Sequence, residues 1–258
     1  MIKFKNINVK FNEKSILKDI NVSIKTGEFL GILGPNGAGK TTFIKVLLGL
    51  IEPTSGVVLI KGKKPKEFLM QNKGFVGYLP QHAIVNWNLP IRVIDAVLID
   101  NIKPFGLFRK YKKKELEKVH YWLEKFGIEN KMYNYIRELS GGQQQRVSLS
   151  RCMINNPKLL ILDEPNTAID AVYNVKLYDI LKEINKEKKV TIVMVSHDIG
   201  AVTAYVDEVM CLNVKIHCHN FANNIDYSTV IKNLYGEDMN IVVHGDECKN
   251  CTVNRLKQ

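Results

Sequence analysis

Long apolar runs are missing from this 258-residue chain. The longest are about strand length, far short of the roughly 20 residues a membrane-spanning helix needs, so a pore formed by this chain alone is excluded. No internal repeat, long linker or low-complexity segment occurs. Residues 1 to 10 alternate as a strand does, with Ile2, Phe4, Ile7 and Val9 apolar, and lack the features of a signal peptide; a cytosolic protein is expected. Cysteine is sparse and odd in number, five residues, which in such a chain argues against a disulfide framework. Acidic residues are in the minority, 26 against 37 Lys and Arg, for a formal net charge of +11. A basic excess suits nucleic acid or an anionic membrane face. Here the lysines sit in short clusters (Lys63, Lys64 and Lys66; Lys112, Lys113 and Lys114; Lys186, Lys188 and Lys189) without interleaved aromatics. They are read as solvated surface, and no nucleic-acid partner is expected. At 45% hydrophobic and 24% charged, the composition is that of an ordinary globular protein, one large domain with subdomains or two small ones.

What is present is concentrated first at Gly34, Pro35, Asn36, Gly37, Ala38, Gly39, Lys40, Thr41 and Thr42. An apolar run, Phe29 to Leu33, precedes this stretch and an amphipathic segment, Phe43 to Leu50, follows it. The order strand, glycine-rich loop, helix matches the G-x-x-x-x-G-K-[ST] spacing of a phosphate-binding loop. Glycines let consecutive N–H groups curl around a phosphate, and the following helix points its positive end at the same anion. Lys40 can reach the β- and γ-phosphates, and Thr41 can place its hydroxyl on Mg²⁺. A glycine-rich turn capping an ordinary helix is the plain alternative. The loop says that a nucleoside triphosphate binds and not what for.

Around the loop, residues 1 to 33 read as strands. Phe11 either stacks on an adenine ring, an interaction of about 1–3 kcal/mol by analogy with base stacking, or faces the core; the sequence leaves both open. Strands are expected at 57–60 and 75–79, the latter followed by Gln81. Residues 82 to about 155 look helical, an insertion into an α/β core; helices are expected over 91–99 and 112–126, with Leu116, Val119, Leu123 and Phe126 on one stripe. Ser140 and Gln143, in the run Leu139, Ser140, Gly141, Gly142, Gln143, have the spacing of a capping box. The sharper reading of that run is a second phosphate site at a helix N-terminus.

Leu159 to Leu162 read as a buried parallel strand that ends in two carboxylates, Asp163 and Glu164. Ligands of open α/β sheets bind at that end of a strand. The pair makes chemical sense if Asp163 faces Mg²⁺ and Glu164 activates water. A helix from about residue 170 buries Tyr173, Leu177, Ile180, Leu181 and Ile184. A strand over 190–195 leads to His197, again at a strand's C-terminal end. Beyond residue 212, His217, Cys218, His219, His244, Cys248 and Cys251 gather, and Cys248 and Cys251 have the C-x₂-C spacing of a metal or redox pair.

Taken together, residues 1 to 212 resemble the ATP-binding subunit of an ABC transporter. The motifs that carry this are the phosphate loop, Gln81, Leu139 to Gln143, the carboxylate strand, the loop through Asp170, and His197. The resemblance implies an α/β P-loop NTPase of ABC type: a mixed sheet core, an antiparallel β subdomain and an inserted helical subdomain at about 82–155, followed by a C-terminal extension, 213–258. It implies a homodimer that sandwiches two ATP molecules. Ser140, Gly141, Gly142 and Gln143 of one copy face the γ-phosphate on the other's loop. Asp163 serves Mg²⁺, together with Thr41 and Gln81; Glu164 polarises water; His197 bridges γ-phosphate and partner; Phe11 stacks on adenine, where many relatives carry tyrosine. The loop Asn166, Thr167, Ala168, Ile169, Asp170 departs from the commoner versions.

Two stretches resemble subunits that import zinc or manganese: Gln81 through Val97, with Trp87, Pro90 and Val93, and Met210 to Asn213 followed by His217, Cys218 and His219. The expected function is therefore ATP hydrolysis powering import of Zn²⁺ or Mn²⁺, with iron a further option. The expected partners are an integral membrane permease at the cytoplasmic face of the membrane and an extracytoplasmic solute-binding protein. The alternatives are a soluble ABC-type scaffold ATPase, as in iron–sulfur assembly, and an ABC ATPase for another solute. A chromosome-acting relative would carry a long heptad insertion and a translation factor usually two cassettes; this chain has neither. The tail suggests a Zn²⁺ site from His244, Cys248 and Cys251, with one of His217, Cys218 or His219. The expected outcome is that truncation after Asn240 abolishes stoichiometric zinc binding in a calorimetric titration. Unchanged affinity would remove the tail site.

Overall fold

Charged and apolar residues alternate along β1 (Ile2–Phe11), and burial follows the alternation: Ile2, Phe4, Ile7 and Val9 are buried and Lys3 and Lys5 are exposed. The break between Phe4 and Ile7 coincides with a register shift and with a positive φ, 50°, at Asn6. Such a bulge resets which residues face the core. The structure, a computed structural model, describes residues 1–81, 87–99, 111–166 and 171–222, without the side chains of residues 171, 172 and 201. Residues 167–170 of the loop through Asp170, and the tail residues His244, Cys248 and Cys251, lie outside the described residues.

The chain divides into two compact units. The first holds Met1–Lys25, Phe29–Lys66 and the described residues from Val195 on. In it, β1 lies between β2 (Lys14–Ile24) and β4 (Ser55–Ile60), antiparallel to both. This is the expected antiparallel sheet. A second set begins with β3 (Phe29–Leu33), whose five residues are all buried, as a strand covered on both faces must be. It runs parallel to β8 (Glu208–Asn213), and β9 (Lys215–Phe221) returns antiparallel to β8. Parallel and antiparallel pairs in one sheet make it mixed, and the sheet continues past residue 212. Helix α1 (Lys40–Leu47) buries Phe43, Ile44, Val46 and Leu47, and the Phe43 ring stacks on Phe4 at 4.3 Å between centroids. Helix α7 (Ile199–Tyr205) lies against β3.

The β8–β9 hairpin overturns one expectation. Cys211 and Cys218 are cross-strand partners with Cα atoms 4.9 Å apart, and they form a disulfide. Counting cysteines is blind to register: the turn at Val214 pairs Asn213 with Lys215, and a register shift between Cys211 and Leu212 then sets Cys211 opposite Cys218.

The second unit holds Thr26–Glu28 and Glu67–Met194. Its strands β5 (Val76–Leu79), β6 (Leu159–Asp163) and β7 (Thr191–Val195) are neighbours in that order, with β5 parallel to β6. Its helices include α3 (Val93–Leu98), α4 (Lys113–Lys125), α5 (Gly141–Met153) and α6 (Ala171–Lys188). Helix α4 buries Val119 and Leu123 as the stripe requires, and adds Trp122. Helix α6 buries Tyr173, Leu177, Ile180, Leu181 and Ile184. Arg146 of α5 lies 3.6 Å over the Tyr173 ring and donates to the Gly127 carbonyl, while the Tyr173 hydroxyl donates to the Phe126 carbonyl. Helix α2 (Pro65–Gln71) and α7, each seven residues long, are too short to show a periodic apolar pattern in the sequence.

The Phe4–Phe43 stack ties α1 to the antiparallel sheet. Phe43→Ala is expected to lower stability by about 3–5 kcal/mol, measured by denaturant unfolding of the full chain, as truncation of a buried phenyl ring does.

Candidate functional site

Leu33 ends β3, and the chain turns through Gly34 to Gly39 before α1 begins at Lys40. Gly39 caps the helix at φ 96°, where a side chain's Cβ would come within 2.7 Å of the Ile16 carbonyl oxygen. Only glycine fits that backbone and that space. The first turn of α1 holds no acidic residue, so the positive end of the helix dipole is not offset locally. The Lys40 side chain is 6% exposed. Its Nζ donates to the carbonyls of Gly34 (2.8 Å) and Pro35 (2.9 Å), which folds the ammonium over the loop. Asn36 and Gly37 are exposed, Ala38 is buried, and Thr41 and Thr42 are half-buried at the start of the helix. The arrangement is a positively charged cradle of backbone donors, suited to a polyphosphate.

Two more predicted residues belong to the same unit. Phe11 ends β1 with 50% of its surface exposed, which decides against the core-facing alternative. The Ser196 N–H donates to the Ile32 carbonyl at 3.2 Å, so exposed His197 follows directly on a contact with the strand that feeds the loop.

The second unit carries the carboxylates. Asp163, the last residue of β6, is 2% exposed. Tyr78 on β5 has its hydroxyl pushed up to about 12, by burial first and by the Asp163 charge second, so it is neutral at physiological pH. Glu164 has left-handed backbone, φ 53°, which a glutamate seldom adopts. The Gln81 side chain donates from Nε2 to Glu164 Oε2 at 2.8 Å, joining two residues that sequence reasoning singled out separately. At α5, Ser140 is the N-cap. Its N–H donates to Gln143 Oε1 at 3.0 Å, and the Gln143 N–H donates to Ser140 Oγ at 3.4 Å. The capping box is therefore formed. Ser140 and Gly141 are exposed and Gly142 and Gln143 half-buried, so the same helix end is also open to an anion.

Sequence reasoning missed the backbone that braces the loop. Val214 N–H donates to the Ala38 carbonyl at 3.0 Å, and the Val214 carbonyl accepts from Lys18 N–H at 2.7 Å. A Cβ on Gly34 would lie 2.0 Å from the Leu212 carbonyl oxygen. Contacts made through main chain leave no mark in residue type. Among the tail candidates, His217 is exposed, with Nε2 3.2 Å from the Asn213 carbonyl. Cys218 is bound to Cys211, so of the three residues offered as a fourth ligand it has no thiolate to give while the bond is closed. His219 Nε2 lies 2.9 Å from Glu208 Oε2 instead.

The model of the ABC transporter family matches residues 17–167. Among curated relatives, the manganese transport system ATP-binding protein of Bacillus subtilis is 34% identical over 91% of this chain and 92% of its own. The zinc uptake system ATP-binding protein of Listeria monocytogenes is 35% identical over 84% of each. Among solved structures, a dimeric bacterial ABC transporter cassette superposes with a TM-score of 0.74 at 28% identity, covering 87% of this chain and 100% of the other.

If Glu164 is the base, Glu164→Gln keeps ATP binding and slows hydrolysis by about 10²–10⁴, the usual share of a general base. Single-turnover assays beside a nucleotide-binding titration check both parts; near-normal turnover would reassign the role.

Proposed function

This chain belongs to the ABC transporter family and is one of its ATP-hydrolysing cassettes; we propose that its work is to power import of a divalent transition metal, zinc or manganese. The observation that supports the metal is the pair of relatives named for manganese transport and zinc uptake, each aligned over at least 84% of both chains. Cargo is chosen by other subunits. The cassette works as a homodimer on an integral permease at the cytoplasmic face of a membrane, with a solute-binding protein delivering the ion from outside. No helix among the described residues is long and apolar enough to cross a membrane, in keeping with a permease as a separate chain.

The triphosphate lies in the loop Gly34 to Thr42, its charge met by backbone N–H groups, the end of α1 and Lys40. Phe11 packs on the base. The ligands that the resemblance implies suit Mg²⁺ by their chemistry: hard oxygens from the Thr41 hydroxyl, the Asp163 carboxylate and the Gln81 amide. Bound with the nucleotide, Mg²⁺ would offset charge on the phosphate oxygens. Glu164 orients a water and takes its proton as it attacks the γ-phosphorus, and His197 hydrogen-bonds the γ-phosphate. Ser140, Gly141, Gly142 and Gln143 of the second copy close on that phosphate from across the dimer. ATP favours the closed dimer and its hydrolysis the open one, and this difference in affinity drives the permease. Since Gln81 already holds Glu164, any movement of Gln81 reaches the base directly. A second reading concerns the tail: the C-x₂-C spacing of Cys248 and Cys251 supports a Zn²⁺ site completed by His244 and His217.

Elemental analysis of cells grown under metal limitation tests the cargo. Cells carrying Glu164→Gln are expected to lose zinc or manganese selectively against cells with the intact chain. Unchanged metal content would discard the metal and leave the ATPase in place.

A further inference from the structure

The β8–β9 turn touches the phosphate loop at both ends. Val214 N–H holds the Ala38 carbonyl at the far end, and the Leu212 carbonyl occupies the space next to Gly34 at the near end. Upstream, Cys211 sits in register with Leu33, the residue before the loop. The turn is an unfavourable one: Val214 adopts φ 60°, a left-handed backbone that β-branched residues avoid. Left to its ladder bonds, a strained turn leading to the last described strand of its sheet relaxes toward ordinary backbone. The Cys211–Cys218 bond spans this turn and holds the strands together at its base. Cys211 is fully buried and Cys218 is half-exposed, so only one of the two sulfurs is open to an attacking thiol.

We propose that the β8–β9 turn is a positioning element for the phosphate loop, and that Cys211–Cys218 is a reversible thiol–disulfide lock that sets its grip and hence the affinity for nucleotide. The proposal rests on the loop binding ATP. Disulfides in thiol-rich compartments are mostly transient or redox-sensing. Opening needs a dithiol. One of its thiolates attacks the Cys218 sulfur and Cys211 leaves as thiolate and takes a proton. The reductant's second thiol then displaces Cys218, also released as a thiol, and the reductant ends as a disulfide; two electrons and two protons pass to the protein. Oxidation by a disulfide of the same class runs the steps backward. With the bond open, Val214 is free to leave αL, Ala38 loses a donor, and Leu212 no longer backs Gly34.

The test uses the full chain carrying Cys152→Ser, Cys248→Ser and Cys251→Ser, so that Cys211 and Cys218 are the two cysteines left. Unreduced digestion and mass spectrometry establish the bond state, and a fluorescent ATP analogue is titrated with and without dithiothreitol. The oxidised protein is expected to bind about five- to tenfold more tightly, the lower range of coupling between sites. Cys218→Ser, checked for native circular dichroism, is expected to match the reduced protein under both conditions. A disulfide of purely structural role would move the unfolding midpoint and leave nucleotide affinity alone, and that result overturns the proposal. So does recovery of both cysteines as free thiols from protein oxidised in air. Equal binding in both states sinks the lock only; no binding in either state would sink the nucleotide reading and the lock with it.

Discussion

A loop that grips phosphate with bare backbone cannot be packed by its own side chains. It has to be braced by other backbone instead. At Gly39 the neighbour is the Ile16 carbonyl, and at Gly34 the Leu212 carbonyl; both leave less room than a methyl group needs. The hydrogen bonds of Ala38 and Lys18 to Val214 complete the brace. The rest of the first unit follows from this need. Strand β2 brings Ile16 and Lys18, and the β8–β9 turn brings Leu212 and Val214. The Phe4–Phe43 stack then anchors the helix that the loop opens into. Because the supporting groups are main chain, they tolerate changes of residue and are sensitive to shifts of position.

The second unit solves a different problem, holding two adjacent carboxylates at the end of a buried strand. Asp163 is buried at a strand end, an expensive place for a charge unless it is matched by polar partners or a cation. Glu164 next to it turns sharply into left-handed backbone, which swings its side chain away from the strand's alternation and within reach of Gln81. Strain at such a residue persists because the surrounding strand and loop over-determine it. The neutral Tyr78 hydroxyl beside Asp163 adds no competing charge.

How much of this was legible depended on whether the signal was local. Ser140 and Gln143 announce their cap because both partners lie within one helical turn. The strands β3, β6 and β7, apolar but for the end residues Asp163 and Thr191, and the stripe of α6 announce burial by composition and period. Phe11 did not announce its exposure: the bulge at Asn6 and the strand's end decide which way it faces. The pairing of Cys211 with Cys218 was hidden for the same reason, since it depends on a register shift between Cys211 and Leu212 that residue type does not mark. Helices α2 and α7 are too short for a periodic pattern to accumulate. The support given by Leu212 and Val214 was beyond reach, because a carbonyl or an amide is the same in every residue. Nor does sequence show left-handed backbone at Glu164; glycine would have flagged it, and glutamate does not.

The capping box has a consequence for the readiness of the α5 terminus. Ser140 and Gln143 hold each other's backbone N–H, and the two glycines between them, Gly141 exposed and Gly142 half-buried, carry N–H groups that the box does not use. The reciprocal pair fixes the backbone on either side of those glycines, so an anion arriving there meets donors already aimed and does not have to order the chain. What looks like routine helix chemistry is therefore preorganisation: the entropy of shaping the helix end is lost in folding, before any ligand comes.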